Sequence, residues 1–307
     1  MVSPARGMEM RPDYGIDAPG VRRGMLIAGA GGALLAGLAT AMALRTSGAI
    51  STVAVVVCAG AVIASVYGFG MAGYMTYGSR FGKLRTREKL LDLVHAVVPW
   101  TGREAVLDVG CGRGLMLVGA ARRLTTGKAI GIDLWRAEDQ AGNTPGAAIE
   151  NARREGVVAR VSVETGDARD LPFPNACFDV VLSHWVVHNL PDAADRARAI
   201  TEMLRVLRPG GVLVLADITH HAEYRKQLTV RGLSDMHIYT GGMESRIIGA
   251  LSGGTFRPQA IVACKKPWHR EAASAGSRKA ALGTKILHAG VANLGNSPTG
   301  PPCQRFT

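Results

Sequence analysis

Apolar and polar positions divide the chain into three regimes. Residues 24–44 and 50–71 are runs of 21 and 22 residues without a charged side chain. At about 1.5 Å per residue, each is long enough as a helix to cross a hydrocarbon core of about 30 Å. Only residues 45–49 separate them, so a helical hairpin is expected over residues 21–78, after a loose polar tail at 1–20. Small residues recur every fourth position, at Gly29, Ala33 and Gly37 and again at Gly60, Ala64 and Gly68, a spacing that lets membrane helices approach closely. Tyr67, Phe69, Tyr74 and Tyr77 gather at the end of the second run, where interfacial aromatics belong. A cleaved export signal ending near Ala39 and Ala41, or a pair of buried soluble helices, would also fit such runs.

From about residue 103 to 267 the pattern changes to short apolar strands alternating with helical stretches, the mark of a doubly wound α/β sheet. Strands are expected at 105–109, 128–133 and 160–164, with a fourth at 178–183 and a fifth near 212–218. Two more are expected near 236–239 and 259–264, and helices at 86–98, 115–124 and 147–154. The first strand runs into Gly110-Cys111-Gly112-Arg113-Gly114, a turn that lets backbone approach a ligand closely. A dinucleotide turn would carry a third glycine where Leu115 stands. Asp133 ends the second strand roughly 20 residues later, the place of a ribose-binding acid. Any adenosine-bearing cofactor would suit these two features.

Further residues narrow the choice. Asp108 stands two before the first glycine, and Gly166-Asp167-Ala168 follows the third strand. LPFP…FDVV leads into the fourth strand, and RVLRPGGVLVLADI spans a helix end, a Pro-Gly-Gly turn and the fifth strand. In this order the motifs resemble the class I S-adenosylmethionine-dependent methyltransferases with a type 11-like domain, over residues 85–266. The resemblance implies a Rossmann-like seven-stranded sheet with an antiparallel last strand, and S-adenosyl-L-methionine as cofactor. It assigns Asp108, Gly110, Cys111, Gly112 and Gly114 to the cofactor loop and Asp133 with Leu134 to the ribose. Asp167 and Ala168 go to the adenine, and Ser183 lies at the fourth strand's end. Trp135 could pack on the adenosine. An NAD(P)-dependent oxidoreductase on a related fold, or a non-catalytic S-adenosylmethionine-binding membrane module, are the alternatives.

Methyl transfer from a sulfonium requires alignment above all, and a base only where the acceptor carries a proton to remove. The candidates are His184 and then His188, four residues on, a spacing that would share a helical face. Beyond the fifth strand lie Asp217, His220, His221 and Tyr224. The five cysteines, Cys58, Cys111, Cys177, Cys264 and Cys303, show no metal-ligand spacing, and no metal is expected. The net charge of +12 is spread without a basic stripe interleaved with aromatics, so nucleic acid is not an expected partner. Arg22 and Arg23 precede the first run, and Arg80, Lys83, Arg85, Arg87 and Lys89 follow the second, against Arg45 between them. The positive-inside rule puts both ends, and a catalytic domain at 81–268, on the cytoplasmic side. The late basic cluster would meet anionic headgroups, and the acceptor would be small, apolar or lipid-like. Residues 269–307 lack periodicity and are expected to be disordered, apart from a possible short helix at 279–291.

Overall fold

The computed structural model describes residues 11–265 apart from Ser234 and Thr255. The expected tail at 269–307 and its short helix lie outside the described residues.

Helices α1 (Pro19–Arg45) and α2 (Gly48–Tyr77) form an antiparallel hairpin, each longer than the apolar run that predicts it. A Cβ on Gly68 would stand 2.6 Å from the Gly29 nitrogen, and one on Gly32 would stand 2.8 Å from the Ala61 oxygen. The backbones therefore touch, and dispersion between them replaces side-chain interdigitation. The seam runs through Gly29, Gly32 and Ala39 on α1 and Ala54, Ala61, Gly68 and Ala72 on α2. This corrects the strict four-residue spacing. Ala33, Gly37, Gly60 and Ala64 are exposed. A four-residue step overshoots a 3.6-residue turn, so the seam must alternate steps of three and four.

A π turn (Gly78–Gly82) carries α2 into α3 (Lys83–Val97). The sheet follows as β1 (Ala105–Val109), β2 (Lys128–Asp133), β3 (Val161–Thr165), β4 (Phe178–His184), β5 (Leu207–Asp217), β6 (Met236–Tyr239) and β7 (Gln259–Cys264). Its order is β3-β2-β1-β4-β5-β7-β6. β1 to β5 are parallel, while β7 runs antiparallel to both β5 and β6. The expected seven-stranded architecture is present. β5 starts earlier than expected. Pro209-Gly210-Gly211 lies inside it as an irregularity in register against Phe178 and Val180, instead of forming a separate turn.

Both faces of the sheet are covered, which is why its inner strands are mostly apolar. Leu107 and Val109 point to the side of α6 (Ala193–Val206) and α7 (His221–Val230), where Ile200, Met203 and Leu228 pack. Val106 points the other way, toward Leu90 and Leu91 of α3 and Leu117 of α4 (Leu115–Ala121). Helix α5 (Pro145–Arg154) begins two residues before the expected start, because the Thr144 side chain caps it by accepting from the Ala147 N–H. The glycine-rich stretch before β7 contains α8 (Gly242–Leu251).

The polar tail is not loose where it is described. Residues 11–18 form a strap on the sheet domain, and Tyr14 is only 4% exposed. Lys83 donates to the Tyr14 and Gly15 carbonyls at 2.6 and 2.7 Å and reaches Asp17 at 3.3 Å. The Tyr14 hydroxyl meets Glu155 and Arg87, whose guanidinium also lies over the Tyr14 ring. Lys83 and Arg87 are therefore buried and engaged, and are not part of a lipid-facing basic cluster.

Candidate functional site

The site lies at the carboxyl ends of β1, β2, β4 and β5, where an open parallel sheet leaves a crevice. β1 stops because Gly110, Gly112 and Gly114 take φ values of +72°, +52° and +84°. A Cβ on Gly110 would stand 2.2 Å from a Val186 methyl, and one on Gly112 would stand 2.7 Å from the Gln140 side-chain oxygen. The turn thus needs glycine for space as well as for backbone angle.

Asp133 is tied to this turn. Its carboxylate accepts from the Gly112 N–H at 2.8 Å, from the Trp135 N–H at 2.6 Å and from the Asn143 amide at 3.2 Å. A carboxylate has about four acceptor positions, so the three donors fix its orientation and leave capacity for a ligand hydroxyl. Leu134, next to it, is 41% exposed. Trp135 adopts φ +59°, packs against the α3–α4 core, and donates its indole N–H to Thr165 at 2.9 Å. The apolar surface offered beside Asp133 is therefore Leu134.

Asp108 is buried behind the turn with one carboxylate oxygen lacking a partner. Burial pushes its pKa up to about 7, against a hydrogen bond from the Leu117 backbone. Burial also raises the Cys111 thiol, so that cysteine packs and is not a thiolate. Ser183 at the end of β4 is 1% exposed, and its hydroxyl has no partner. Asp167 has a competitor absent from the motif pattern. Arg169 donates to it through backbone N–H, Nε and Nη2, lowers its pKa, and continues to Asp195 at 2.7 Å. Ala168 packs on the α6–α7 core.

The two histidines differ. His184 ends β4, and its ring stacks on Trp185 at 5.1 Å and 10°. Burial lowers its pKa to about 4, with Asp17 and Asp217 opposing and Lys83 reinforcing. His188 sits in a short 3-10 turn (Val187–Asn189), so the pair does not share a helical face. Its Nδ1 lies 2.5 Å from Asp217 Oδ1, and its backbone N–H donates to Oδ2 at 2.9 Å. Asp217 is 1% exposed and also accepts from the Tyr224 hydroxyl at 2.9 Å and the Ile218 N–H at 2.8 Å. An acceptor on Nδ1 selects the tautomer with the proton there and the lone pair on Nε2. Of the two candidates, with His184 preferred from the sequence, His188 is the one whose ring is held by a carboxylate. His221 is spent on the Arg257 carbonyl at 2.8 Å, and His220 occupies the left-handed residue before α7. Among the described residues no group of three His, Cys, Asp or Glu could hold a metal ion.

Strap residues join the same crevice. Arg113, inside the glycine turn, donates to the Asp13 carbonyl and carboxylate at 2.8 Å each. Gln140 accepts from the Arg113 N–H at 3.0 Å and donates to the Tyr14 carbonyl at 3.1 Å. Asn151 donates to Asp13 and Arg113 carbonyls at 2.8 and 2.9 Å. The sequence reading missed this role. The only hint was the cluster Asp13-Tyr14-Gly15-Ile16-Asp17 in an otherwise featureless tail.

Residues 107–215 match the family model described as a methyltransferase domain, Methyltransf_11. The chain is 34% identical over 132 residues to 27-O-demethylrifamycin SV methyltransferase of Amycolatopsis mediterranei, covering 42% of this chain and 44% of that one. It is 36% identical over 141 residues to 2-methyl-6-phytyl-1,4-hydroquinone methyltransferase of Synechocystis, covering 41% and 38%. The chain thus spans under half the length of each relative. A crystal structure of geranyl diphosphate C-methyltransferase from Streptomyces coelicolor is 18% identical with a TM-score of 0.47, covering 59% of this chain and 78% of that one.

Proposed function

We propose that the protein is a membrane-anchored S-adenosylmethionine-dependent methyltransferase that acts on a hydroxyl of a small apolar acceptor. The observation that carries the cofactor assignment is the Gly112–Asp133 link, an oriented carboxylate set against a glycine turn that a Cβ would fill. The residues present fit an adenosine. Asp133 would take ribose hydroxyls, Leu134 would give an apolar face to the adenine, and Asp167 with the Ala168 N–H would take its edge. For the last contact Asp167 must share its acceptor positions with Arg169. The orphaned Ser183 hydroxyl is a further polar contact facing the same strand ends. When bound, S-adenosylmethionine supplies a methyl group on a sulfonium, an activated electrophile.

The chain's own contribution is to orient the acceptor, exclude water and remove a proton. His188 Nε2 takes the acceptor hydroxyl proton, and Asp217 holds the ring and stabilises the imidazolium that results. Tyr224 and the Ile218 N–H keep Asp217 fixed. His184, neutral down to about pH 4, lines the crevice without competing for the proton. The preference for an oxygen acceptor rests on this dyad. A relative named for an O-demethyl substrate agrees with it.

Membrane anchoring is supported by the hairpin's outward face, where Leu34, Leu44, Val56 and Ile63 are 68%, 83%, 67% and 69% exposed. Water-soluble surfaces seldom carry such a continuous apolar area. Flanking arginines favour a catalytic domain on the cytoplasmic side. The relative named for a phytyl-hydroquinone supports an apolar acceptor.

Transfer of radiolabelled methyl from S-adenosylmethionine to a membrane extract tests this function. Label should enter the organic-soluble fraction as an ether, and should be lost with His188→Ala. Label confined to protein would contradict the acceptor class. No label with any fraction would contradict the activity. A reporter fused within Thr46–Gly48 should score on the far side of the membrane.

A further inference from the structure

At the foot of the hairpin, where α1 starts and α2 enters the π turn, lies a cleft of about 460 Å³. Its floor and walls are apolar, formed by Leu26, Phe69, Tyr77 and Phe81 among others, with Arg22 and Arg80 at its edge. The Tyr77 and Phe81 rings lie 5.6 Å apart. The Arg22 Nε is buried without a hydrogen-bond partner. Among the described residues neither Arg22 nor Arg80 forms an ion pair. The nearest acid along the strap, Asp17, is already held by Lys83 and Ser79. A buried guanidinium N–H left unmatched is unfavourable, so the Arg22 Nε, with the exposed Arg80 lining the same cleft, favours an anion there.

We propose that this cleft binds one anionic phospholipid, its phosphate between Arg22 and Arg80 and its first methylenes against Phe69 and Leu26. Complementarity of charge and the apolar floor argue for a lipid over free phosphate, which would use the arginines and leave the floor wet. The cleft also adjoins the strap. The Arg22 N–H bonds the Ala18 carbonyl, and Ser79, one residue before Arg80, accepts from the Asp17 N–H at 3.1 Å. This site rests on the membrane-anchored reading.

The test uses the full chain, purified in detergent and exchanged into mixed micelles of equal phosphatidylglycerol and phosphatidylcholine. Native mass spectrometry reads the retained lipid. One phosphatidylglycerol should persist on the wild type. Arg22→Gln with Arg80→Gln should reduce its retention about tenfold or more. Arg23→Gln and Lys89→Gln, exposed charges outside the cleft, should leave it unchanged. Equal retention by the double variant, or equal loss in the controls, overturns the site. Displacement by micromolar inorganic phosphate overturns the lipid in favour of a free anion. S-adenosylmethionine binding by the double variant verifies that it is folded. A chain recovered in solution without detergent would defeat the membrane reading and this site together. An integral chain that retains no phosphatidylglycerol would defeat this site alone.

Discussion

The hairpin and the sheet domain use similar apolar residues in opposite ways. In the sheet domain Leu107, Leu182 and Leu213 are fully buried, and Gly110, Gly112 and Gly114 form a turn. In the hairpin Gly29, Gly32 and Gly68 are inside, while Leu34, Leu44 and Ile63 face outward. A sheet domain in water gains by removing large side chains from solvent. Helices in lipid gain nothing that way, so close backbone approach holds them together. On the proposed membrane-anchored reading, the inversion reflects two regions built for different solvents. The strap at residues 11–18, polar and salt-bridged, lies at their joint.

The largest expected effect separates chemistry from anchoring. His188→Ala should lower kcat by roughly 100- to 10,000-fold, the usual contribution of a positioned base. Membrane association and cofactor affinity should stay unchanged. A loss of both would mean that His188 is structural. The comparison itself is tested by one substitution made twice. Leu107→Ala should destabilise the protein by about 2–5 kcal/mol. Leu34→Ala should change stability by less than about 0.5 kcal/mol in lipid. Thermal unfolding in nanodiscs measures both, and equal losses would place the hairpin in a protein core.

Asp108 gives a pH signature confined to the sheet domain. Its pKa is raised from the ordinary 3.8 to about 7. The stability it contributes is therefore complete below its unfolded value and is lost as pH rises through the folded value. At about 1.4 kcal/mol per pH unit, cofactor-free protein should lose on the order of 3 kcal/mol between about pH 5 and about pH 8. Asp108→Asn should flatten that slope, and an unchanged slope would assign it to other groups. The smallest effect concerns the joint. Lys83→Met would remove a donor shared by Asp17 and the Tyr14 and Gly15 carbonyls, costing about 1–3 kcal/mol. It should also weaken cofactor binding, because Asp13 and Tyr14 then hold Arg113 and Gln140 less firmly. Unaltered affinity would make the strap a fastening only.

The strands and the glycine turn were legible because their signals are local. β6 and β7 fall on the very residues expected, and the glycine turn and Asp133 stand where the motif spacing puts them, Gly112 bonding Asp133. Most of what stayed hidden depends on long-range pairing. Asp217 chooses His188 over His184 across 29 residues, and no periodicity encodes that choice. Asp13 finds Arg113 across 100 residues from a segment with no repeating pattern. Arg169 captures Asp167 from two residues away, and only side-chain geometry reveals it. In the hairpin the small residues were visible but their phase was not, because phase is set by the partner helix.

In the proposed function the glycine turn and Asp133 together hold S-adenosylmethionine. Calorimetric titration of the full-length protein with S-adenosylmethionine, beside NADH, tests it most directly. Saturable binding of one S-adenosylmethionine, no binding of NADH, and loss of the signal in Asp133→Ala are the predicted result. Unimpaired S-adenosylmethionine binding by Asp133→Ala, or a preference for NADH, would contradict it.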